Sequence, residues 1–382
     1  MEKKKVAIIL QDSNWEGGNN YFFNLIDSSK RLKNSKIHLI ILTDRKSKLT
    51  KYSKINIKII RSSIFSRRHP LYWLRFLLSS LGIRDYILYY FLKKNNINVL
   101  SHITSRNCLW SNCSIKSLGW VSDFQHLHFP KFFTKKNIRF RNGNIIKLIK
   151  NSSGIIVSSK SSGKDLDTFF NEKRKKKKFI LNFSSALEIK NRILTKRELI
   201  SKYSLNNCWF HLPNQFWKHK NQITAIKAFH KIGNKINLVL TGVLDDSDQL
   251  NTYRNLKKYI KKNKIINVKI LKNLPREDAL AIMHHSIAVI NTSLFEGWSS
   301  TVVEATALKK KMILSRIDVH LEQKQKHTRY FSPLSHEQLK NIVLKMYKNQ
   351  KRQSCKFKNL QIKNEEIKLK FAQKFQKIIY SL

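Results

Sequence analysis

Ala288-Val289-Ile290-Asn291-Thr292-Ser293-Leu294-Phe295-Glu296-Gly297-Trp298-Ser299-Ser300-Thr301-Val302-Val303-Glu304-Ala305 reads as a short apolar strand, a loop and the start of a helix. Small polar residues at a helix start leave backbone N–H groups without partners, which makes an anion site fit for a diphosphate. Ser299, Ser300 and Thr301 supply hydroxyls and amides there, and Glu296 and Glu304 flank them. Glu304 has a second reading. Thr301-x-x-Glu304 matches a capping box, and a carboxylate in a first helical turn suits the helix dipole. That reading does not reach Glu296, which precedes the Gly297-Trp298 turn outside the helix.

Outward from this segment, strand-like runs alternate with helical patterns, the mark of α/β architecture with mostly parallel sheets. In the first half the strands are expected at 6–10, 37–42, 57–60, 118–121, 154–157 and 179–181, and the helices near 21–32, 71–92, 138–150 and 162–170. In the second half the strands are expected at 208–212, 236–240, 268–271, 288–290 and 312–314. The helices there fall near 197–203, 222–232, 247–261, 275–284, 302–308, 336–347 and 362–379. The boundary is expected within 183–196. This gives a first domain over 1–190, a second over 191–365, and a C-terminal helix over 366–382 able to cross back to the first. Open α/β sheets bind ligands outside the carboxyl ends of their strands, so two facing sheets would react in the cleft between them.

The chain has 382 residues, with 75 Lys and Arg against 24 Asp and Glu, a formal net charge of +51. Such a field attracts polyanions: nucleic acid, anionic membrane or phosphate-bearing substrates. The joint richness in Lys, Asn and Ile is equally what an AT-rich genome encodes. A nucleic-acid-binding protein is the rival reading, but the lysines are dispersed and no helix-turn-helix, zinc finger or aromatic RNA-binding motif is present. No specific nucleic-acid partner is therefore expected. Cys108, Cys113, Cys208 and Cys355 fit neither a zinc pattern nor a disulfide framework and read as reduced thiols in a cytoplasmic protein.

The apolar run after the basic N-terminus is too short for a secretory signal. The best membrane candidate, 70–92, contains Arg75, Arg84 and Asp85. It reads as an amphipathic or buried helix, or as one lying in a membrane interface, rather than a span. The basic run 173–178 is either a solvated loop or a contact to phosphate or lipid.

Glu296 and Glu304 are separated by seven residues in a Phe-Glu-Gly-aromatic context. This resembles the E-x7-E signature of retaining GT-B glycosyltransferases of family four, the glycosyl transferases group 1. The strand around Lys311-Met312-Ile313-Leu314-Ser315 and the Val319-His320-Leu321-Glu322-Gln323 stretch are similar to that family. So are Asn214-Gln215-Phe216-Trp217-Lys218-His219-Lys220-Asn221, Trp120-Val121-Ser122-Asp123-Phe124-Gln125-His126, and the Gly17-Gly18 pair, read as a turn after the first strand. The match runs over nearly the whole chain.

The resemblance implies a GT-B fold, two Rossmann-like domains facing each other across a cleft. It implies transfer of a sugar from a UDP- or GDP-linked nucleotide sugar to a glycan or lipid-linked acceptor, as in surface polysaccharide or lipopolysaccharide synthesis. It implies no cofactor beyond that cosubstrate and no metal. Glu304 would hold the donor ribose and Glu296 would touch the transferred sugar near the reacting carbon. Lys220 would neutralise the diphosphate, helped by Lys218. His126 would stand near sugar and acceptor, and the backbone of Gly17 and Gly18 would approach the donor. Trp298, Asn214 and Gln215 would line the donor side, and Asp123 and Trp15 the acceptor side.

The chain departs from the family at Gln215, where an arginine is common, at Lys309-Lys310-Lys311, where a glycine is common, and at Arg316, where an acid is common. An inactive carbohydrate-binding relative is a further rival, opposed by Glu296, Glu304 and Lys220.

The remaining candidates carry two readings each. His126 and His128 at a strand end are structural or catalytic. Trp15, Trp217 and Trp298 are core packing or stacking platforms for a sugar or base. Asp245-Asp246-Ser247-Asp248 reads as helix capping rather than a metal site. The charge and the run 173–178 together suggest peripheral contact with anionic lipid at the inner face of the cytoplasmic membrane.

Overall fold

Along the first strand Val6 and Ile8 pack into one apolar cluster and Ala7 into another. On the next strand Leu39 and Ile41 join the former, and Ile40 and Leu42 the latter. All of these side chains are buried, so both faces of the sheet are covered, as parallel sheets require. The computed structural model describes residues 3–11, 16–49, 52, 55–170, 176–184, 193–244, 246–349 and 357–382. The chain divides into two units, Met1–Ser185 with Glu365–Leu382, and Ala186–Asn364.

The first unit holds β1 (Lys4–Ile9), β2 (Ile37–Thr43), β3 (Lys58–Arg61), β4 (Val99–Ile103), β5 (Lys116–Val121), β6 (Gly154–Val157) and β7 (Lys177–Ile180). They form a parallel sheet in the order β3-β2-β1-β4-β5-β6-β7. The second unit holds β8 (Trp209–Pro213), β9 (Asn237–Gly242), β10 (Val268–Lys272), β11 (Val289–Asn291), β12 (Met312–Ser315) and β13 (Thr328–Phe331). Their order is β10-β9-β8-β11-β12-β13, again all parallel. Both are Rossmann-like sheets. Each reverses its winding once, at β1/β4 and at β8/β11, and such a switch point opens a crevice beyond the strand ends.

Glu365–Leu382 belongs to the first unit through apolar packing. Phe371, Phe375, Ile378 and Ile379 are buried in the cluster that contains Val6 and Ile8. The buried Lys368 places its Nζ 3.1 Å from Asp27 Oδ2.

Two local expectations need correction, and two strands, β4 and β13, were not among those expected. The expected helix 71–92 is two helices, Pro70–Ser80 and Tyr86–Lys94. Gly82 adopts φ +75° between them, a conformation cheap only for glycine, and Asp85 caps the second by accepting from Leu88 N at 2.9 Å. Gly17 and Gly18 form no turn; they lie in the first turn of the helix Glu16–Arg31. Strand β4 was missed because Ser101 and His102 interrupt its apolar run, and His102 sits at φ +57° beside a register shift. Strand β13 was missed because Thr328-Arg329-Tyr330 at a sheet edge carries little apolar signal. Among the described residues, no helix is long and apolar enough to cross a membrane.

Candidate active site

The loops that follow β8 and β11 meet at the switch point of the second sheet. Strand β8 runs into Asn214, and a single turn, Lys218–Lys220, ends at Asn221, which adopts φ +51° and starts the helix Gln222–Ile232. Two contacts lace this loop to the one after β11: Leu294 N donates to His219 O at 2.8 Å and Thr292 Oγ1 to Lys220 O at 2.7 Å. Asn214 is buried. Its Nδ2 donates to Asn291 Oδ1 at 3.1 Å, and its Oδ1 accepts from Thr301 Oγ1 at 3.0 Å. Gly242, at the end of β9, allows this crowding, because a Cβ there would fall 2.5 Å from Asn214 O.

Upon this frame sits an ion pair between a half-buried lysine and a buried carboxylate. Lys220 Nζ donates to Glu296 Oε1 at 2.7 Å. Ser293 Oγ is 2.6 Å from the same oxygen and 2.7 Å from Asn291 Oδ1; its one proton goes to the carboxylate, the stronger acceptor. Burial alone would raise the Glu296 carboxyl, but Lys220, with His320 and His219, outweighs it and brings the group down to about 2. Burial in turn lowers both histidines, His219 to about 3. Near neutral pH both rings are therefore uncharged, and Lys220 is the cation that keeps Glu296 ionised.

His320 comes from the short helix after β12. Its Nδ1 donates to Ser315 O at 2.9 Å, which fixes the tautomer and leaves Nε2 a buried acceptor without a partner among the described residues.

Glu304 is the fifth residue of the helix Ser300–Ala307, not part of its first turn. Nor is there a capping box. Ser299 is the N-cap, without a side-chain cap bond, and Thr301 Oγ1 lies 3.1 Å from Pro213 O and 3.0 Å from Asn214 Oδ1, its one proton shared between them. Glu304 is instead bonded by Arg276, whose Nη2 lies 2.5 Å from Oε1.

Of the expected anion ligands, Ser299 is already engaged. Its N–H donates to Gln323 Oε1, and its Oγ accepts from Asn291 Nδ2. Ser300 is exposed at the helix start, where the first amides of a helix lack internal partners. Trp298 is half-buried in the loop before them. Gln215 accepts from Trp217 Nε1 at 3.2 Å, and Lys218 is exposed.

In the first unit, His126 lies in the short helix Gln125–His128 after β5 and is buried. Its Nε2 donates to Asn142 Oδ1 at 2.9 Å, and its Nδ1 accepts from Arg141 at 3.4 Å. Both ring nitrogens are thus held inside the unit, and burial lowers the ring's proton affinity. Asp123 accepts from Gln125 N at 3.2 Å and faces Arg141 at 3.5 Å. Trp15 lies outside the described residues, as do Asp245 and the start of the basic run; Asp246 caps its helix by accepting from Gln249 N.

Sequence reasoning gave no role to Ser293, Arg276 or His320. Ser293 had a signal, its place three residues before Glu296. Arg276 had none, being 28 residues from Glu304 on another helix.

Residues 211–362 match the family model described as Glycosyl transferases group 1. No curated protein matches the sequence. Among solved structures, the fold is similar to that of HepE from Anabaena in complex with UDP and glucose. That match has a TM-score of 0.71 and 14% identity, over 99% of this chain and 100% of that one. A glycosyltransferase from Rickettsia africae gives a TM-score of 0.68 and 16% identity, over 100% and 98% of the two chains. The lipopolysaccharide outer core galactosyltransferase WaaB gives 0.64 and 14%, over 99% of each.

Proposed function

From the premise that this chain is a glycosyltransferase of the EC 2.4 class with a glycosyl transferases group 1 domain, we propose that it retains anomeric configuration. It moves a sugar from a UDP- or GDP-linked donor to a glycan or lipid-linked acceptor in surface polysaccharide synthesis. It does so at the inner, anionic face of the cytoplasmic membrane.

The observation that carries this reading is the part-buried Lys220–Glu296 pair beside the exposed start of the helix Ser300–Ala307, at the switch point of its sheet. A departing nucleoside diphosphate gains negative charge, while the sugar carbon it leaves gains positive charge. A lysine and a carboxylate held 2.7 Å apart supply one counter-charge for each. Their fixed geometry means little reorganisation as the bond breaks. Because each charge offsets the other at rest, the pair alone attracts no anion. Exposed Lys218 and the amides of the helix start supply the net attraction for the diphosphate. In this reading Glu304, held by Arg276, accepts from the ribose hydroxyls. HepE was solved with UDP-glucose, which favours UDP as the base carrier.

A melting screen with UDP, GDP, ADP and TDP tests the donor side. A nucleotide at a hundred times its dissociation constant stabilises the native state by ~2.7 kcal/mol. UDP or GDP should raise the melting temperature, and a flat response to all four, or one confined to ADP or TDP, would sink the reading. The anomer of the product, read by proton NMR, tests retention.

A further inference from the structure

The helix Pro70–Ser80 packs the wrong way round for a soluble surface. It buries Tyr72 and Arg75 and leaves Trp73, Leu74, Phe76 and Leu77 exposed, Trp73 by 56% and Leu77 by 54%. At 3.6 residues per turn, these four and Leu81, at the helix end, span about 160° of the helix, with Arg75 opposite the middle of that arc. Leu81 is 65% exposed, and Ile83, Tyr86 and Tyr90 extend the apolar surface onto the next helix.

The inversion is fixed from beneath. Arg75 Nε donates to Asp85 Oδ2 at 2.9 Å, Nη1 to Ile64 O at 2.9 Å and Nη2 to Asn107 Oδ1 at 3.1 Å. Lys147 Nζ donates to Ser79 O at 2.7 Å and holds the far end. The Trp73 indole N–H is satisfied by Arg67 O at 2.8 Å, so only the apolar body of the ring faces outward. A rigid apolar face of this size on a soluble chain marks an interaction surface.

The charges around it select the partner. Arg67 and Arg68 precede the helix, and Arg84, Lys93 and Lys94 follow it, all exposed. Between Asp44 and Asp123 the sequence holds one carboxylate, Asp85, which is buried and paired with Arg75. The apolar face is thus rimmed by positive charge with no exposed negative charge from this stretch of chain. A second copy docking face to face would set this basic rim against itself. An anionic lipid surface complements both features, because it takes the apolar ring bodies below its headgroups and pairs the arginines with phosphates.

We propose that the face of Trp73, Leu77 and Leu81, with its Arg67–Arg68 rim, inserts into the headgroup region of an anionic bilayer. This rests on the membrane attachment in the reading above and names its surface, in place of the basic run 173–178.

The test is sedimentation of the full chain with vesicles of phosphatidylcholine, alone or mixed with phosphatidylglycerol. Its readout is lipid binding, not transfer, so its failure leaves the nucleotide screen standing, and the reverse also holds. The chain should sediment with the mixed vesicles at low salt. The double variant Trp73→Ser/Leu77→Ser should weaken that binding at least tenfold at unchanged melting temperature. Arg67→Ser/Arg68→Ser should weaken it and flatten its salt dependence, and Lys176→Ser/Lys177→Ser should leave it within twofold. The proposal is overturned if the chain ignores anionic vesicles, or if binding is lost with Lys176→Ser/Lys177→Ser and kept in Trp73→Ser/Leu77→Ser. It is also overturned if sedimentation velocity without lipid shows a dimer that Trp73→Ser/Leu77→Ser dissolves.

Discussion

Lys220 Nζ lies 2.7 Å from Glu296 Oε1, with the two side chains 16% and 8% exposed. The pair joins the loop after β8 to the loop after β11, so removing either partner leaves the other charge buried and uncompensated. Breaking such a pair costs more than the pair contributes to stability.

For the reaction, Glu296→Gln keeps the shape and removes the charge. The charge matters most while the sugar carbon is positive, so kcat should fall by roughly a hundredfold, with a smaller rise in KM. Steady-state kinetics with varied donor checks this. An unchanged kcat would remove Glu296 from the reacting centre.

Glu304→Ala should act on the other parameter. The ribose changes little between ground and transition state, and a hydrogen bond to a charged group is worth about 1.5–3 kcal/mol. Donor KM should therefore rise roughly ten- to a hundredfold, with kcat less affected. With no capping box formed, the variant should keep most of its stability. A drop in melting temperature with unaltered donor KM would return Glu304 to a purely structural role.

Transfer should persist in EDTA if, as proposed, Lys218, Lys220 and the helix-start amides supply the counter-charge for the leaving group. Loss of activity on chelation, with recovery on adding magnesium or manganese, would show that this account of leaving-group stabilisation is wrong.

Stability should decline well above the carboxylate range as pH drops. His102 and His211 are buried, and burial lowers each from 6.5 to about 3. Below pH 6.5 the unfolded chain binds protons at these rings that the folded chain refuses. Each ring thus removes up to ~1.4 kcal/mol per pH unit between about 6.5 and 3. Glu296 acts in a lower window, since its depressed value stabilises the fold above the usual carboxyl range, and that contribution fades as pH falls toward about 2. Urea titrations at pH 7, 6 and 5 should show a falling midpoint; equal midpoints would mean the rings protonate in place.

Much of this could be read from the chain because strong apolar runs are short-range signals. Val289-Ile290 and Met312-Ile313-Leu314 gave their strands directly, and the seven-residue spacing singled out the two glutamates for which roles are proposed. What escaped depended on distant partners. Nothing near Arg276 announces Glu304, and nothing in His102 announces a strand residue at φ +57° whose Nε2 lies 2.6 Å from the Tyr21 hydroxyl. Thr301-x-x-Glu304 misled for the same reason. Its local pattern fits a cap, yet Asn214, 87 positions earlier, takes the threonine hydroxyl. The break at Gly82 was hidden by the apolar residues on both sides, which here face outward.

The return of Glu365–Leu382 to the first unit sets an order of events on the ribosome. The cluster around Val6 and Ile8 also requires Phe371, Phe375 and Ile379, which are translated only after all of Ala186–Asn364. At ~5–20 residues per second, the first unit waits about 10 to 35 seconds for its last helix. Throughout that interval the surface destined for Phe375 is bare. The second unit, encoded without interruption, can finish first, and the N-terminal sheet needs shelter from aggregation until the helix arrives.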